Sequence, residues 1–230
     1  MRHNVKDLIG FGMGATDGEF GKVEEFYFDD DSWTIRYLIV KTGGWLSGRK
    51  VLISPAALTV PDLDREIFPV NLSRDQIKNS PDIDTDKPVS RQQEIELRSH
   101  YEWPYEGTSG VGFYGGMGMM GMIDSRLPLE DIIANQYQDA SAPADPHLRS
   151  TAELSGYKIY TLDGEAGKLT DFIIDDQNWS ILFLLARQDE LFAGEEEILT
   201  IPADLIDRVE YADAAVYLKV STKVLRNGQS

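Results

Sequence analysis

The chain contains an internal repeat, and no other feature of the sequence restricts its fold so strongly. The stretch opening Leu8-Ile9-Gly10 returns at Leu154-Ser155-Gly156 with an offset of 146 residues, and the register then runs on without a gap. Asp17, Gly18, Glu19, Gly21 and Lys22 recur as Asp163, Gly164, Glu165, Gly167 and Lys168. Phe26, Asp29, Asp30, Trp33, Ile35 and Leu38 recur as Phe172, Asp175, Asp176, Trp179, Ile181 and Leu184. A period this long predicts tandem domains and excludes a solenoid. The expected division is residues 1–80 for the first domain, 81–147 for a connecting segment and 148–230 for the second.

Domains of this size bury one small core each. The chain has no cysteine, which removes disulfides, thiolate metal sites and a cysteine nucleophile. Its longest apolar runs, Ile35 to Val40 and Ile181 to Ala186, are far shorter than a membrane helix requires. The N-terminal residues show no secretory pattern, so a cytoplasmic protein is expected. A net charge of −17 argues against binding to phosphate backbones, and for the same reason against an anionic membrane surface. That charge is uneven: −2 for residues 1–80 (10 basic, 12 acidic), −7 for 81–150 (5 and 12) and −8 for 151–230 (7 and 15). The first copy is therefore the better docking surface for an acidic partner.

In both copies the signature Asp-Gly-Glu-x-Gly-Lys sits between apolar segments. Asp17-Gly18 and Asp163-Gly164 suit a hairpin turn, because glycine takes positive φ at little cost. Gly21 and Gly167 suit a bulge or a close backbone approach. β-rich stretches follow at Val23 to Phe28 and Leu169 to Ile174, then acidic turns at Asp29 to Ser32 and Asp175 to Asn178, then strands at Trp33 to Thr42 and Trp179 to Arg187. Further strands are expected at Val51 to Ile53, Ile67 to Leu72 and Val216 to Val220, with a tight turn at Pro55 to Leu58. Ser73 to Gln76 fits a capping box opening a short helix, and Ser221 to Arg226 a second helical piece. The predicted fold class is mainly β: two tandem small antiparallel barrels of about six short strands each. The middle differs in kind, with helices expected at Ser90 to His100 and Pro128 to Gln138, a Gly/Met-rich flexible loop at Gly107 to Met122, and a linker at Ala140 to Pro146.

These residues resemble the PRC-barrel family, named after the cytoplasmic domain of the photosynthetic reaction-centre H subunit. The likeness rests on Gly10 through Asp17-Gly-Glu-Phe-Gly-Lys22 to Trp33-Thr-Ile-Arg-Tyr-Leu-Ile-Val-Lys41, and on the run Gly43-Gly-Trp-Leu-Ser-Gly-Arg-Lys-Val-Leu-Ile-Ser-Pro55. Lys87-Pro-Val-Ser-Arg-Gln92, Trp103-Pro-Tyr105 and Asp145-Pro-His-Leu-Arg-Ser150 are similar to bacterial two-barrel members. The second copy departs after Trp179: Arg36-Tyr37 becomes Leu182-Phe183, and the Gly-Gly-Trp hairpin becomes an acidic stretch. The resemblance implies docking roles, since the reaction-centre barrel caps cofactor-bearing subunits and a similar barrel in a ribosome maturation factor contacts a ribosomal protein.

No catalytic constellation is visible. His3, His100 and His147 fall in a tail, a helix and a linker, with no metal-pair spacing. Gly10-Phe-Gly-Met-Gly14 lacks both the dinucleotide fingerprint and a Walker lysine. Asp29, Asp30, Asp175 and Asp176 offer oxygen ligands suited to a hard cation, but their spacing is not that of an EF-hand and solvated acidic turns account for them better. Met117, Met119, Met120 and Met122 suit a soft ion or an adaptable apolar contact. Trp33 and Trp179 read as packing residues, whereas Trp45 beside Arg49 and Lys50 has the composition of an interaction hot spot.

The sequence thus points to a cytoplasmic adaptor without an active site or cofactor, binding an unidentified protein partner, with homo-oligomerisation open. Alternatives are a peripheral component of photosynthetic electron transfer and a metal- or small-ligand-binding protein.

Overall fold

The computed structural model describes residues 1–46, 48–81, 96–97, 99–101, 147–188 and 198–227. Expectations for the Gly/Met-rich stretch, the helix at Pro128 to Gln138 and the linker at Ala140 to Pro146 lie outside these residues, as does most of the expected helix before His100. Residues 96–97 and 99–101 are helical, with Leu97 and Tyr101 buried and His100 Nε2 2.7 Å from the Gln76 carbonyl.

The first copy runs β1 (Arg2–Asn4), α1 (Val5–Leu8), β2 (Gly12–Ala15), β3 (Gly18–Asp29), β4 (Thr34–Thr42), β5 (Lys50–Ile53), β6 (Ile67–Pro69) and α2 (Arg74–Lys78). The second runs β7 (Leu148–Ser150), α3 (Thr151–Leu154), β8 (Lys158–Thr161), β9 (Gly164–Asp175), β10 (Ile181–Arg187), β11 (Ile198–Pro202), β12 (Ile206–Glu210), β13 (Ala215–Leu218) and α4 (Thr222–Asn227). The fold is mainly β and built on two sheets, in the orders β5-β4-β3-β2-β6 and β11-β10-β9-β8-β13-β12.

The signature hairpin follows its residue chemistry. Gly18 and Gly164 take φ values of 135° and 143° at the β2–β3 and β8–β9 turns. A register shift follows in each hairpin, and a Cβ on Gly21 or Gly167 would lie 2.4 Å from the carbonyl oxygen of Lys41 or Arg187. The signature aspartate also reaches the end of its own copy: Asp17 Oδ1 accepts from the Arg74 amide at 2.8 Å, and Asp163 Oδ1 from the Thr222 amide at 2.8 Å. Each turn is thereby tied to the first residue of a terminal helix. At α2 the expected capping box forms between Ser73 and Gln76.

Purely antiparallel sheets are not found. β6 runs parallel to β2, and β13 parallel to β8. Residues 54–66 form a connection long enough to carry the chain to the far edge of the sheet, where β6 enters in the direction of β2. The strand expected at Ile67 to Leu72 is shorter than predicted, ending at Pro69, after which the Val70 amide still donates to the Gly14 carbonyl at 2.8 Å.

A second correction concerns the segments before each repeat. His3 lies in a strand and not a tail, and that strand belongs to the other copy's sheet. β1 pairs with β9 through Arg2↔Asp175, His3↔Ile174 and Asn4↔Ile173. β7 pairs with β3 through Leu148↔Asp29, Arg149↔Phe28 and Ser150↔Tyr27. Each pairing becomes the other on shifting by 146 residues, so the copies exchange arms in the same register. Between the arms, Thr34 bridges Ser180, the Ile35 amide donates to the Trp179 carbonyl at 2.8 Å, and the Ile181 amide donates to the Trp33 carbonyl at 2.7 Å. Rings close the seam from both sides, with Phe28 and Phe172 centroids 5.9 Å apart and Phe68 and Trp179 centroids 6.0 Å apart. The buried apolar side chains of both copies consequently form one continuous cluster.

Candidate functional site

The hairpin face of the first copy carries a groove of about 650 Å³. It lies where the paired strands β3 and β4 approach closely at Gly21: the Gly43 amide donates to the Phe20 carbonyl at 3.0 Å, and the Lys41 carbonyl oxygen leaves no room for a side chain at Gly21. On the other side the Gly10 amide donates to the Val23 carbonyl at 2.8 Å, with Gly10 at φ 93°. Ile9, Phe20 and Val23 supply apolar lining, and Lys22, Lys41 and Glu24 supply polar lining. Glu24 faces Lys41 at 3.5 Å and Lys50 at 3.1 Å. All three of these side chains are substantially solvent-exposed, so each pair is worth about 0–1 kcal/mol and exchanges readily for a better partner.

The three residues singled out for partner binding fare differently. Trp45 sits on a 3-10 turn, Gly44–Leu46, and its side chain lies outside the described residues. Lys50 stands beside the groove through its contact with Glu24. Arg49 is engaged by the fold, its Nη2 donating to the Ile77 and Ser80 carbonyls at 3.3 and 3.1 Å and to Ser80 Oγ at 2.7 Å. A guanidinium set against the last carbonyls of α2 closes that helix end.

The corresponding face of the second copy has other chemistry. Ala166 replaces Phe20 and Thr170 replaces Glu24, with Thr170 Oγ1 donating to the Leu185 carbonyl at 3.0 Å. Residues 189–197, where the sequence turns acidic, lie outside the described residues.

The acidic turns close the exchanged arms. Asp29 Oδ1 accepts from the Asp31 and Ser32 amides at 3.2 and 2.8 Å, and its Oδ2 accepts from Arg36 at 3.2 Å in a buried pair. Asp175 Oδ1 accepts from the Gln177 amide at 3.0 Å, with Leu182 standing where the first copy has Arg36. Asp30 meets His147 at 2.9 Å, Arg149 at 3.2 Å and the Tyr211 hydroxyl. Burial, reinforced by Asp30, pushes the Tyr211 hydroxyl well above its ordinary pKa, and the Arg149 guanidinium lies 3.9 Å over the ring. Asp176 meets the terminal ammonium of Met1 and, at 2.9 Å, His3. Burial raises the Asp176 pKa, but these contacts outweigh it and hold the carboxyl below the usual range. Asp30 and Asp176 thus each bind the arm that enters from the other copy. Among the described residues, no group of three or more His, Cys, Asp or Glu side chains comes together in a metal-binding arrangement, and no helix is long and apolar enough to cross a membrane.

Sequence reasoning missed Glu25 and Asp171, which occupy matching places on β3 and β9. Glu25 accepts from the Ser150 hydroxyl, and Asp171 Oδ1 accepts from the Lys6 amide at 3.2 Å. Burial raises the Asp171 pKa. Acidic residues at equal places in two strands were the available signal. Their meaning depended on an inter-copy pairing that a three-residue arm does not announce.

The family model described as PRC-barrel domain matches residues 4–77, which takes in the whole groove. No curated protein matches the chain.

Proposed function

We propose that this protein, whose residues 4–77 match the PRC-barrel domain, is a non-enzymatic cytoplasmic adaptor that binds a protein partner through the hairpin face of that first barrel. The observation that carries this reading is the groove, an apolar floor at Ile9, Phe20 and Val23 with Lys22 and Lys41 at its edge. Apolar floors with a polar, exchangeable rim are the anatomy of transient protein interfaces. The fitting partner segment pairs apolar side chains with carboxylates. It meets the copy of lower net negative charge, −2 against −8, where long-range repulsion is least.

The test is crosslinking and affinity capture of the tagged chain from its host, with Lys22→Glu/Lys41→Glu and Trp45→Ala chains run in parallel. The expected result is a partner recovered with the wild type and lost from the charge-reversed chain, while that chain's melting temperature is unchanged, since exposed substitutions stay within about 0.5 kcal/mol. A partner retained by both variants, or recovery of the chain alone, overturns the proposal.

A further inference from the structure

We propose that the partner segment taken by the first barrel is an amphipathic helix with an acidic edge, lying across the strands of the barrel. This rests on the adaptor reading and gives the partner its form.

The strand registers set cations side by side. Lys22 on β3 is directly opposite Lys41 on β4, and Lys41 is directly opposite Lys50 on β5. Directly paired residues leave the same face of a sheet, so the three side chains form a row whose bases stand about 4.8 Å apart. Like charges so placed weaken a sheet, and Glu24 offsets part of the cost at Lys41 and Lys50. The second copy repeats the juxtaposition with Lys168 opposite Arg187, in a chain whose net charge is −17. Sheet pairing gains nothing from it. A partner bearing carboxylates turns the same row into an attraction, while the floor at Ile9, Phe20 and Val23 receives its apolar side.

The form of the segment follows from the position of the row. β3 and β4 are interior strands, each paired on both sides, so neither has a free edge for strand addition. Same-face residues of an extended segment recur about every 7 Å, whereas helix side chains three or four apart stand about 5–6 Å apart and match the row better. The row also has an open end. On β2 the residue opposite Lys22 is Gly12, which leaves a lane from Gly12 to Lys50 about 14 Å wide, the length of about ten helical residues. In the second copy Lys158 stands in the place of Gly12, opposite Lys168, and Ile198 stands opposite Arg187 where the first copy has Lys50. An acidic helix is thereby directed to the first barrel.

Gly12 gives a test in which two explanations carry opposite signs. A Cβ there meets the Ile67 side chain at 3.5 Å and the Glu66 carbonyl oxygen at 3.7 Å, ordinary contacts that the fold accommodates. Gly12→Lys adds a positive charge, so general attraction to an acidic segment would strengthen, but it also obstructs the lane. The probes are two fluorescent peptides of about 18 residues with identical Leu, Glu and Gln content. One carries Leu at helical spacing with Glu beside it, and the other alternates Leu and Glu. Each is titrated by anisotropy against the full chain, Lys22→Gln/Lys41→Gln and Gly12→Lys, after the melting temperature of each variant has been measured.

The helical peptide is expected to bind the wild type about tenfold more tightly than its alternating isomer, and to lose about tenfold in both variants. The inference is overturned if the helical peptide does not bind or shows no preference over the isomer. It is equally overturned if Gly12→Lys binds as tightly as the wild type or more tightly. Should Gly12→Lys fail to fold, the exposed Lys22→Gln/Lys41→Gln pair still decides, since unchanged binding there overturns the inference as well. The adaptor reading fails separately, through affinity capture that recovers no partner. A partner captured and lost on charge reversal, without any preference for the helical isomer, removes this inference alone.

Discussion

Thr34 pairs with Ser180, the residue that holds its own place in the second copy. Two equivalent residues that face each other lie on a twofold axis, so the repeat in the sequence is also a symmetry of the packing. The exchanged arms obey the same axis, each adding a strand to the sheet of the other copy. The two halves therefore share one core, which distinguishes this arrangement from two beads on a linker.

Trp179 tests that shared core. It is 9% exposed and packs on Phe68 of the other copy. Trp179→Ala is expected to destabilise the chain by about 3–5 kcal/mol in urea unfolding. Its φ of 59° lies in the left-handed region, so Trp179→Gly should cost about 1 kcal/mol less than the alanine, reversing the usual order. Equal losses would show that the backbone there is relaxed in the variants.

Arg36 stands in a buried pair with Asp29 that the second copy replaces with Leu182. Arg36→Leu strands the Asp29 carboxylate, which still has the amides of Asp31 and Ser32 as donors. The expected cost is about 3 kcal/mol, the low end for breaking a buried ion pair, measured by equilibrium unfolding. A change below about 1 kcal/mol would place the pair in solvent.

Gly21 and Gly167 separate steric from conformational cost. A Cβ at either meets a carbonyl oxygen at 2.4 Å, but only Gly167 has a positive φ, 139°. Gly21→Ala is expected to cost about 1–3 kcal/mol, and Gly167→Ala more by about 1 kcal/mol, read from denaturation midpoints at a common slope.

Asp163 couples acid stability to the terminal helix. The Thr161 hydroxyl, then the amide and hydroxyl of Thr222, lower its pKa from 3.8 to about 2. A depressed folded-state pKa contributes stability that is present above the unfolded value and lost as pH falls through the folded one. The difference in melting temperature between wild type and Asp163→Asn should accordingly be constant from pH 7 to 5 and shrink between pH 4 and 2. A difference that stays flat to pH 2 would mean that the hydrogen bonds of Asp163 favour neither protonation state.

The strands of each copy were legible because the hairpin signature and the alternation around it act within a few residues. Gly18 and Gly21 reveal their backbone needs wherever they occur. The arms were not legible, since Arg2-His-Asn4 and Leu148-Arg-Ser150 are too short for periodicity and take strand form only against the other copy. A trace of them was present: Asn4-x-x-Asp7 and Ser150-x-x-Glu153 repeat an N-cap pattern, and the Ser150 hydroxyl does accept from the Glu153 amide at 3.0 Å. The parallel closing strands also escaped, because strand direction depends on the path of the chain and not on composition. At the candidate site, Lys50, singled out in the sequence for its place beside Trp45, contacts Glu24 of the groove at 3.1 Å. Arg49 was read as a contact residue because nothing in its neighbourhood reveals a helix end nearly thirty positions away, at Ile77 and Ser80. The groove itself was invisible in advance, since its lining comes from three separate stretches, around Gly10, Gly21 and Thr42, and not from any contiguous motif.

Differential scanning calorimetry of the full chain tests the shared core most directly. If the two copies close on a common axis with exchanged arms, they melt in a single transition whose van't Hoff and calorimetric enthalpies agree, and Trp179→Ala lowers that one transition as a whole. Two resolved transitions, with Trp179→Ala moving only the one that belongs to the second copy, would contradict it.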